Sequence, residues 1–332
     1  MRTISLAVLL LVLPLAGQTR QPYNRLLFAG DVMFSRGVRQ EILAAHDSAL
    51  PFRKLAPMMS AADITFINLE TPFSDKGPYY PGGLIFHAAP DMIAGLELAG
   101  VDIVSTANNH SRDCGPHGVE FTVSWLRSHG ILPLGSSESA DTTHQGVVIQ
   151  RKGVRFGFLG YTFDQQNGNW RDIDDRIAMA DPAVMTRDVA ALRPRVDVVI
   201  VSMHSGIEYK PKPTATQIAF AHAAIDAGAK LVVGHHPHVI EPEESYRGGL
   251  IFYSLGNFIF DQYQREQTQH GEMVEISFLG TEVLATHVIP VRITRTGPEL
   301  ESILAAGGPL DVSSELRSHR RKDLLGKGVL AP

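Results

Sequence analysis

Three histidines stand close together in the segment Gly234-His235-His236-Pro237-His238, directly after the apolar residues Leu231 to Val233. Neutral imidazole is the side chain that most commonly binds metal ions in proteins. Another histidine, His204, ends the apolar run Val198 to Met203 in the same way. One histidine at a strand end is by default a capped or core residue, but two such groups together favour a metal site.

Oxygen-bearing side chains follow three further apolar runs, at Gly30-Asp31, Asn68-Leu69-Glu70 and Asn108-Asn109-His110. Carboxylates that end separate buried strands repel each other and lose hydration unless water, a proton or a cation compensates them. Asparagine is a usable neutral oxygen ligand. His110, which stands beside these ligands, is of a type that can protonate a leaving group or hold a phosphate oxygen.

Two of these positions have a second interpretation, which stays open at this point. A helical pattern covers Val32 to Ala45, and an aspartate before it, such as Asp31, is common as a helix N-cap. The asparagines at positions 108 and 109 also fit a turn that leads into a helix. Glu70 is followed by Thr71-Pro72, where capping is less natural.

The elements that must position these residues form an alternating pattern. The five apolar, β-branched runs are typical of parallel strands buried on both faces. Apolar residues at helical spacing lie between them, at Ile93 to Ala99, Val119 to Leu126 and Ile218 to Ala227. Open α/β sheets bind ligands beyond the carboxyl ends of their strands. We therefore predict an α/β protein whose strand ends gather the candidate ligands in one crevice.

The remaining chain adds further strands to this pattern. Short strands are predicted from Gly130-Ile131 onward, at Val147 to Ile149 and at Phe156 to Leu159, and the segment Asp164 to Asp175 is polar and loop-like. In the C-terminal third no helical pattern separates the predicted strands, which favours an antiparallel continuation. These strands are Leu250 to Ser254, Met273 to Phe278 and Val283 to Ile293.

Composition limits the class of protein. The 332 residues are 44% hydrophobic and 20% charged, which is ordinary for a globular protein with a substantial core. A formal net charge of -5 gives no broad basic surface, so nucleic acid is not an expected partner. Cys114 is the single cysteine, so the chain has no internal disulfide, and a passive thiol is the expected role of Cys114.

The N-terminus has the pattern of an export signal. Arg2 precedes an apolar stretch from Ile4 to Leu15, and small residues follow at Ala16-Gly17. A bilayer span needs roughly 20 apolar residues, so a cleaved signal is favoured, although an uncleaved membrane tether stays open. We expect a signal peptide at 1–17, one domain at 18–310, a C-terminal tail at 311–332, and a protein that works in the periplasm or at the cell surface.

The residues resemble a known family, the CapA proteins of poly-γ-glutamate capsule biosynthesis, within the calcineurin-like metallophosphoesterase superfamily. Six ordered motifs carry the resemblance over nearly the whole chain after the predicted signal. They are Gly30-Asp31-Val32-Met33, Asn68-Leu69-Glu70, Ala107-Asn108-Asn109-His110 with Asp113 and Gly115, His204 to Tyr209, Gly234 to His238, and Tyr253 to Phe258 with Asp261-Gln262.

The resemblance implies a metallophosphatase-like sandwich of two sheets flanked by helices (α/β/β/α) with two divalent metal ions, for which Mn, Zn, Fe and Mg all fit. By motif, one ion would have the ligands Asp31, Glu70 and His238. The other would share Glu70 and add the ligands Asn109, His204 and His236. His110 would be the acid or oxyanion stabiliser, and five residues would bind substrate or support the ligands: Asn108, Asp113, His235, Glu208 and Asn257.

Two positions depart from the wider superfamily. Met33 stands where the superfamily has a histidine, and a thioether is poorly suited to a hard, oxygen-preferring ion. Glu70 stands where the superfamily usually has aspartate, so its carboxylate reaches one methylene further. These changes are compatible with weaker metal occupancy, a single metal or an altered substrate.

Three functions follow from these observations. The first is an exported metal-dependent hydrolase that acts on an anionic polymer or a phosphoester. The second is a non-catalytic accessory component of a capsule assembly, in contact with membrane-bound synthase components. The third is a binding protein for an anionic polymer. His110 beside Asn109 favours a hydrolase over a purely structural role, because packing does not require it.

Overall fold

The computed structural model describes residues 23–79, 84–163 and 174–301. Within these ranges the chain forms two β-sheets with helices on their outer faces. The expected signal segment 1–17 and tail 311–332 lie outside the described residues, as does most of the polar segment 164–175. Among the helices of the described ranges, none is long and apolar enough to cross a membrane.

The strands follow in chain order as β1 (Asn24–Val32), β2 (Ile64–Leu69), β3 (Ile103–Ser105), β4 (Leu132–Leu134), β5 (Val147–Arg151), β6 (Val154–Thr162), β7 (Val198–His204), β8 (Leu231–His235), β9 (Ile240–Tyr246), β10 (Gly249–Leu255), β11 (Asn257–Ile259), β12 (His270–Leu279), β13 (Glu282–Thr294) and β14 (Gly297–Leu300). The α-helices are α1 (Arg36–Ala45), α2 (Ala56–Met59), α3 (Ile93–Leu98), α4 (Gly115–Ser128), α5 (Pro182–Leu192) and α6 (Ala215–Ala227).

The first sheet has the strand order β14-β13-β12-β1-β2-β3-β4, and β11 pairs with the end of β1. Strands β1 to β4 are parallel, whereas β12, β13 and β14 continue the sheet in antiparallel fashion. The second sheet has the order β5-β6-β7-β8-β10-β9, in which β6, β7, β8 and β10 are parallel. All the predicted strands are therefore present. The antiparallel C-terminal continuation is confirmed for Met273 to Phe278 and Val283 to Ile293 but not for Leu250 to Ser254, which pairs in parallel with β8 because it extends the second sheet.

The two sheets pack face to face through a central apolar layer. Alternate residues of a strand point to opposite faces, so Leu26 and Phe28 of β1 face this layer. Phe66 and Phe158 stack across it, with ring centroids 6.2 Å apart. Burial of each such aromatic side chain contributes about 1.5–3 kcal/mol.

Helices cover both outer faces. Leu27 and Ala29 of β1 face the opposite way from Leu26 and pack in one cluster with Val38 and Ile42 of α1. Helices α5 and α6 cover the second sheet through a separate cluster that includes Phe220. The layers are thus helix, sheet, sheet and helix, which confirms the α/β/β/α architecture that was predicted.

One of the two interpretations left open for Asp31, that of a helix N-cap, is wrong. Asp31 does not cap a helix, because β1 continues through it to Val32 and pairs it with Asn68 and Asn257 on either side. Helix α1 begins only at Arg36, and its N-cap residue is Ser35. The sequence pattern merged the end of β1 with the helix, since Phe34 stands at helical spacing before the apolar residues Val38 and Ile42 of α1.

Candidate metal centre

The candidate ligands lie at the carboxyl ends of parallel strands in both sheets. The first sheet brings Asp31 near the end of β1, Glu70 directly after β2, and His110 in the turn after β3. The second sheet brings His204 as the last residue of β7 and His235 as the last residue of β8. Because these ends meet at the same edge of the sandwich, the side chains converge.

Two groups of ligand atoms form where they converge. One group contains Asp31, Glu70 and His238, and the other contains Glu70, His204 and His236. Within each group the ligand atoms lie within 4.8 Å of one another, and all five residues are buried. Glu70 is shared between the two groups.

The Glu70 carboxylate is the strongest indication that these residues can hold a cation. Both of its carboxylate oxygens are buried, and neither has a hydrogen-bond partner within the described chain. The nearest imidazole nitrogens to Oε1 among the described residues are 3.8 Å away on His238 and 3.9 Å away on His204 and His110. Burial, with the nearby Asp31 and Glu208 charges, raises the pKa of Glu70 well above its usual range. A cation between these groups would satisfy the carboxylate, so the donor set fits metal ions.

Asp31 is held in the charged form by its neighbours. Burial raises its pKa, but the hydrogen bond from His238 and the nearby imidazoles outweigh burial and hold the pKa below its usual range. The Asn68 amide donates to Asp31 Oδ1 at 2.8 Å, and His238 Nδ1 lies 3.4 Å from Oδ2. The backbone N–H of His236 also points at Oδ2, 3.3 Å away.

The imidazoles of the second group are kept neutral. Burial lowers the pKa of His204 well below its usual range, and burial lowers the pKa of His236 to about 4. His204 Nε2 lies 2.9 Å from Asn109 Oδ1 and 3.1 Å from His236 Nδ1. Neutral rings with converging nitrogen atoms and an amide oxygen form a mixed donor set for a divalent cation.

The turn that carries the later histidines is strained. His236 and His238 have backbone φ angles of 100° and 59°, a region that non-glycine residues seldom adopt. Such residues cost of order 1–3 kcal/mol each and persist where the surrounding structure fixes them. The turn thereby directs the His236 side chain to one group and the His238 side chain to the other.

His110 lies beside the ligands as part of a buried pair. Its Nδ1 is 2.6 Å from Asp113 Oδ2, and its Nε2 is 3.9 Å from Glu70 Oε1. Phe86 stacks on the His110 ring with centroids 3.9 Å apart, and its backbone N–H donates to the same Asp113 oxygen. This arrangement fixes the ring and directs Nε2 toward the shared carboxylate.

Asn108 and Asn257 are predicted supporting residues that make hydrogen bonds at the site, Asn108 next to Glu70 and at His110, and Asn257 to the ligand His238. Asn108 donates to the Leu69 carbonyl at 2.8 Å and accepts the His110 backbone N–H at 3.1 Å. Asn257 Oδ1 lies 3.0 Å from His238 Nδ1, and the Asn257 amide donates to the Thr268 carbonyl.

Asp113 supports His110 as described above, and the remaining two predicted supporting residues, His235 and Glu208, show no direct hydrogen bond to a ligand within the described chain. His235 stacks on Phe66, and its Nδ1 is 3.5 Å from Asp31 Oδ1. Burial lowers the pKa of His235 to about 4. Glu208 is partly exposed, and its charge raises the pKa of both Glu70 and His236.

Asn68 belongs to the site, although it was not predicted as a candidate site residue from the sequence. It is completely buried in β2 and donates to Asp31, and its amide nitrogen lies 3.3 Å from His204 Nδ1. The signal was present, because a polar side chain inside an apolar strand needs a partner. The Met33 sulfur is occupied elsewhere and is not in either ligand group, since it accepts the Ser35 backbone N–H at 2.8 Å.

The fold places the chain in a known structural class. Its layers match a phosphatase from Mycoplasma pneumoniae with a TM-score of 0.55 at 13% identity, covering 82% of this chain and 95% of that one. They also match the NAD nucleotidase of Haemophilus influenzae with a TM-score of 0.50 at 10% identity, covering 91% and 67%. The architecture is that of the metallophosphoesterase-like folds.

Sequence comparison identifies the family. The chain belongs to the bacterial capsule synthesis protein family PGA_cap, whose family model matches residues 25–262. It is 30% identical over 279 residues to the capsule biosynthesis protein CapA of Bacillus anthracis, covering 81% of this chain and 67% of that protein. It is 31% identical over 239 residues to the PGA biosynthesis protein CapA of Bacillus subtilis, covering 71% and 63%. The predicted resemblance is confirmed, and the chain spans about two thirds of the length of these relatives.

Proposed function

We propose that this chain is an exported, metal-dependent hydrolase of the phosphoesterase type that acts in capsule polymer metabolism. The observation that carries this proposal is the buried Glu70 carboxylate. It has no hydrogen-bond partner among the described residues and is flanked by one ligand group on each side. A purely structural site would gain nothing from a buried, unsatisfied carboxylate.

Two sets of residues would hold the ions. Asp31, Glu70 and His238 form one set, and Glu70, Asn109, His204 and His236 form the other. Manganese, zinc, iron and magnesium all accept such mixed nitrogen and oxygen ligands. A pair of divalent ions, when bound, supplies an activated water and a clamp for the attacking and leaving oxygens of a phosphoryl or acyl centre.

His110 would supply the proton for the leaving oxygen. Asp113 accepts the Nδ1 proton, which fixes the tautomer that carries any further proton on Nε2. Phe86 stacks on the ring and limits its rotation, so Nε2 stays directed at the site. General acids positioned in this way contribute about 10²–10⁴-fold to rate.

The substrate class rests on the family. The relatives carry the names capsule biosynthesis protein and PGA biosynthesis protein, so an anionic polymer or a phosphoester of its assembly is the proposed substrate. The apolar stretch after Arg2 and the domain bounds 18–310 complete the proposal of an exported enzyme.

The test is to purify residues 18–332, measure metal content, and assay phosphomonoester, phosphodiester and γ-glutamyl amide substrates. We expect turnover with at least one of them, and a loss of about 10²–10⁴-fold in kcat for His110→Ala with its metal content unchanged. His117→Ala is the matched control, because His117 forms a similar pair with Asp75 at an exposed position. A metal-loaded protein that turns over none of the substrates contradicts the proposal.

The second candidate is a non-catalytic accessory component. A relative in Mycobacterium tuberculosis, 29% identical over 258 residues, carries the name probable polyglutamine synthesis accessory protein. This function predicts stoichiometric association with membrane-bound synthase components and no turnover by the metal-loaded chain. Co-purification with those components, together with the assays above, separates the two functions.

A further inference from the structure

Arg36 is a cation beside the candidate metal centre that neither ligand group uses. It is the first residue of α1 and has a backbone φ of 47°, in the left-handed region that arginine seldom adopts. Strained residues of this kind persist where neighbouring structure holds them and are concentrated at binding sites. This conformation places the Arg36 side chain next to the candidate metal centre.

The Arg36 guanidinium lies over two aromatic rings, 5.0 Å from the Phe86 centroid and 5.6 Å from the Phe260 centroid. Phe86 is the ring that stacks on His110, and the Phe260 centroid is 4.6 Å from that of His238. The cation is therefore separated from the proposed acid and from a proposed ligand by one ring each. Such contacts hold a guanidinium in a fixed plane.

Asp261 sets the position of this guanidinium. Its Oδ1 pairs with Arg36 Nη2, and its Oδ2 accepts the Gly37 backbone N–H at 2.8 Å. A Cβ atom at position 37 would lie 3.0 Å from Asp261 Oδ2, so glycine leaves room for this carboxylate. One carboxylate thus fixes both the start of α1 and the guanidinium.

The guanidinium is not fully used by its bond to Asp261. Its Nε is buried and has no hydrogen-bond partner within the described chain, and the side chain is still 32% exposed. An arginine whose role was only to pair with Asp261 would gain nothing from a buried, unsatisfied Nε. The Arg36 charge also reaches the centre, where it acts on Glu70 in opposition to the effect of burial.

We propose that Arg36 is a specificity-determining residue that binds an anionic oxygen group of the substrate, a carboxylate or a phosphate, next to the bond that is cleaved. The planar, forked donors of arginine match such groups bidentately. Arg36 would add a positive charge on the side of the site away from the two ligand groups, beside Phe86 and Phe260. The inference rests on the proposed function for the reaction, but the binding of the anion is measured without turnover.

The experiment measures the Kd of inorganic phosphate and of glutarate by calorimetry, on the chain loaded with Mn²⁺ and on the chain treated with chelator. Arg36→Gln is the principal variant, because it keeps a polar side chain with an N–H donor and removes the charge and the forked guanidinium. We expect it to weaken at least one probe tenfold or more, and the probe affected distinguishes phosphate from carboxylate. The matched control is Arg155→Gln, since Arg155 pairs with Asp197 at the opposite strand ends and should leave both Kd values within twofold.

Arg36→Lys keeps the charge and loses the forked donors, so its Kd should fall between those of the native chain and Arg36→Gln. If Arg36→Gln fails to fold, Arg36→Lys alone decides the question. Native-like binding of both probes by the folded Gln variant, or by the Lys variant in its place, overturns the proposal. Metal content and turnover of the native chain test the proposed function separately, so the two failures are distinguishable.

Discussion

His110 and Asp113 form a buried hydrogen-bonded pair, with ring Nδ1 2.6 Å from carboxylate Oδ2 and only two residues between them in sequence. The same oxygen also accepts the backbone N–H of Phe86 at 2.6 Å. Because one carboxylate holds both the ring and the segment that stacks on it, the orientation of His110 depends on Asp113.

Asp113→Asn tests this dependence. The amide is a weaker acceptor for Nδ1–H and can also donate, so the favoured tautomer and ring position change. We expect kcat to fall about 10–100-fold while bound metal stays the same. Asp75→Asn is the control, since Asp75 and His117 form an exposed pair of the same length. Equal activities of the two variants in a steady-state assay would show that Asp113 has no orienting role.

The two ligand groups make a separate prediction for metal content. His236→Ala and His238→Ala should each lose about one of two ions per chain, because each removes a ligand from a different group. Glu70→Ala should lose both, since both groups share it. His222→Ala, which alters a partly exposed histidine paired with Glu244, should retain both. Mass spectrometry of dialysed protein measures these counts, and full occupancy in either single histidine variant would disprove the division.

Glu70 makes the stability of the metal-free chain depend on pH. Its pKa is raised in the folded chain, mainly by burial, so the folded state binds more protons than the unfolded state. Stability is therefore fully present below the unfolded pKa near 4.3 and is lost as pH rises toward the folded pKa. Glu70→Gln removes this loss, and we expect its Tm in chelator to exceed that of the native chain by about 2 °C or more at pH 8.

At pH 4.5 the two Tm values should differ less, because the carboxyl group is protonated in the folded chain. With metal added at pH 8, the order should reverse, since only the native chain gains stability by binding ions. A Glu70→Gln variant less stable than the native chain in chelator at pH 8 would falsify this account.

Gly234 allows the histidine turn to form. A Cβ atom there would lie 1.9 Å from the Tyr253 carbonyl oxygen of the neighbouring strand. Gly234→Ala must push β8 and β10 apart, and we expect a loss of about 3 kcal/mol in unfolding free energy. Gly280→Ala meets no atom within 4 Å and adds only the strain of its positive φ, so it should cost about 1–2 kcal/mol. Urea denaturation compares them, and a smaller loss for Gly234→Ala would refute the steric argument.

Much of the sheet architecture could be predicted from the sequence, because the strands that carry the ligands are continuous apolar runs. Strand β9 was missed for the opposite reason. Its sequence IEPEESY is rich in glutamate and contains Pro242, a composition typical of loops. It forms the edge of the second sheet, where charges and proline are tolerated. Edge strands are defined by their neighbours, which a single sequence does not show.

The candidate ligands were predictable for a similar reason, since polar residues at apolar strand ends stand out. Phe86 and Phe260 gave no such signal, because phenylalanine is expected in any core. Arg36 gave no signal either, because an arginine at the start of an amphipathic helix is an ordinary surface residue. Their relation to His110 and His238 comes from loops that pack across the strand ends, and local periodicity carries no information about that packing.

The two sheets supply different kinds of ligand atom to the candidate metal centre. Oxygen donors at Asp31, Glu70 and Asn109 come from the first sheet, and nitrogen donors at His204, His236 and His238 come from the second. The first sheet is itself finished by the last strands of the chain. Neither sheet carries the full donor set by itself, so an ion bound in the proposed way would link the two sheets and would stabilise the chain only once they have docked.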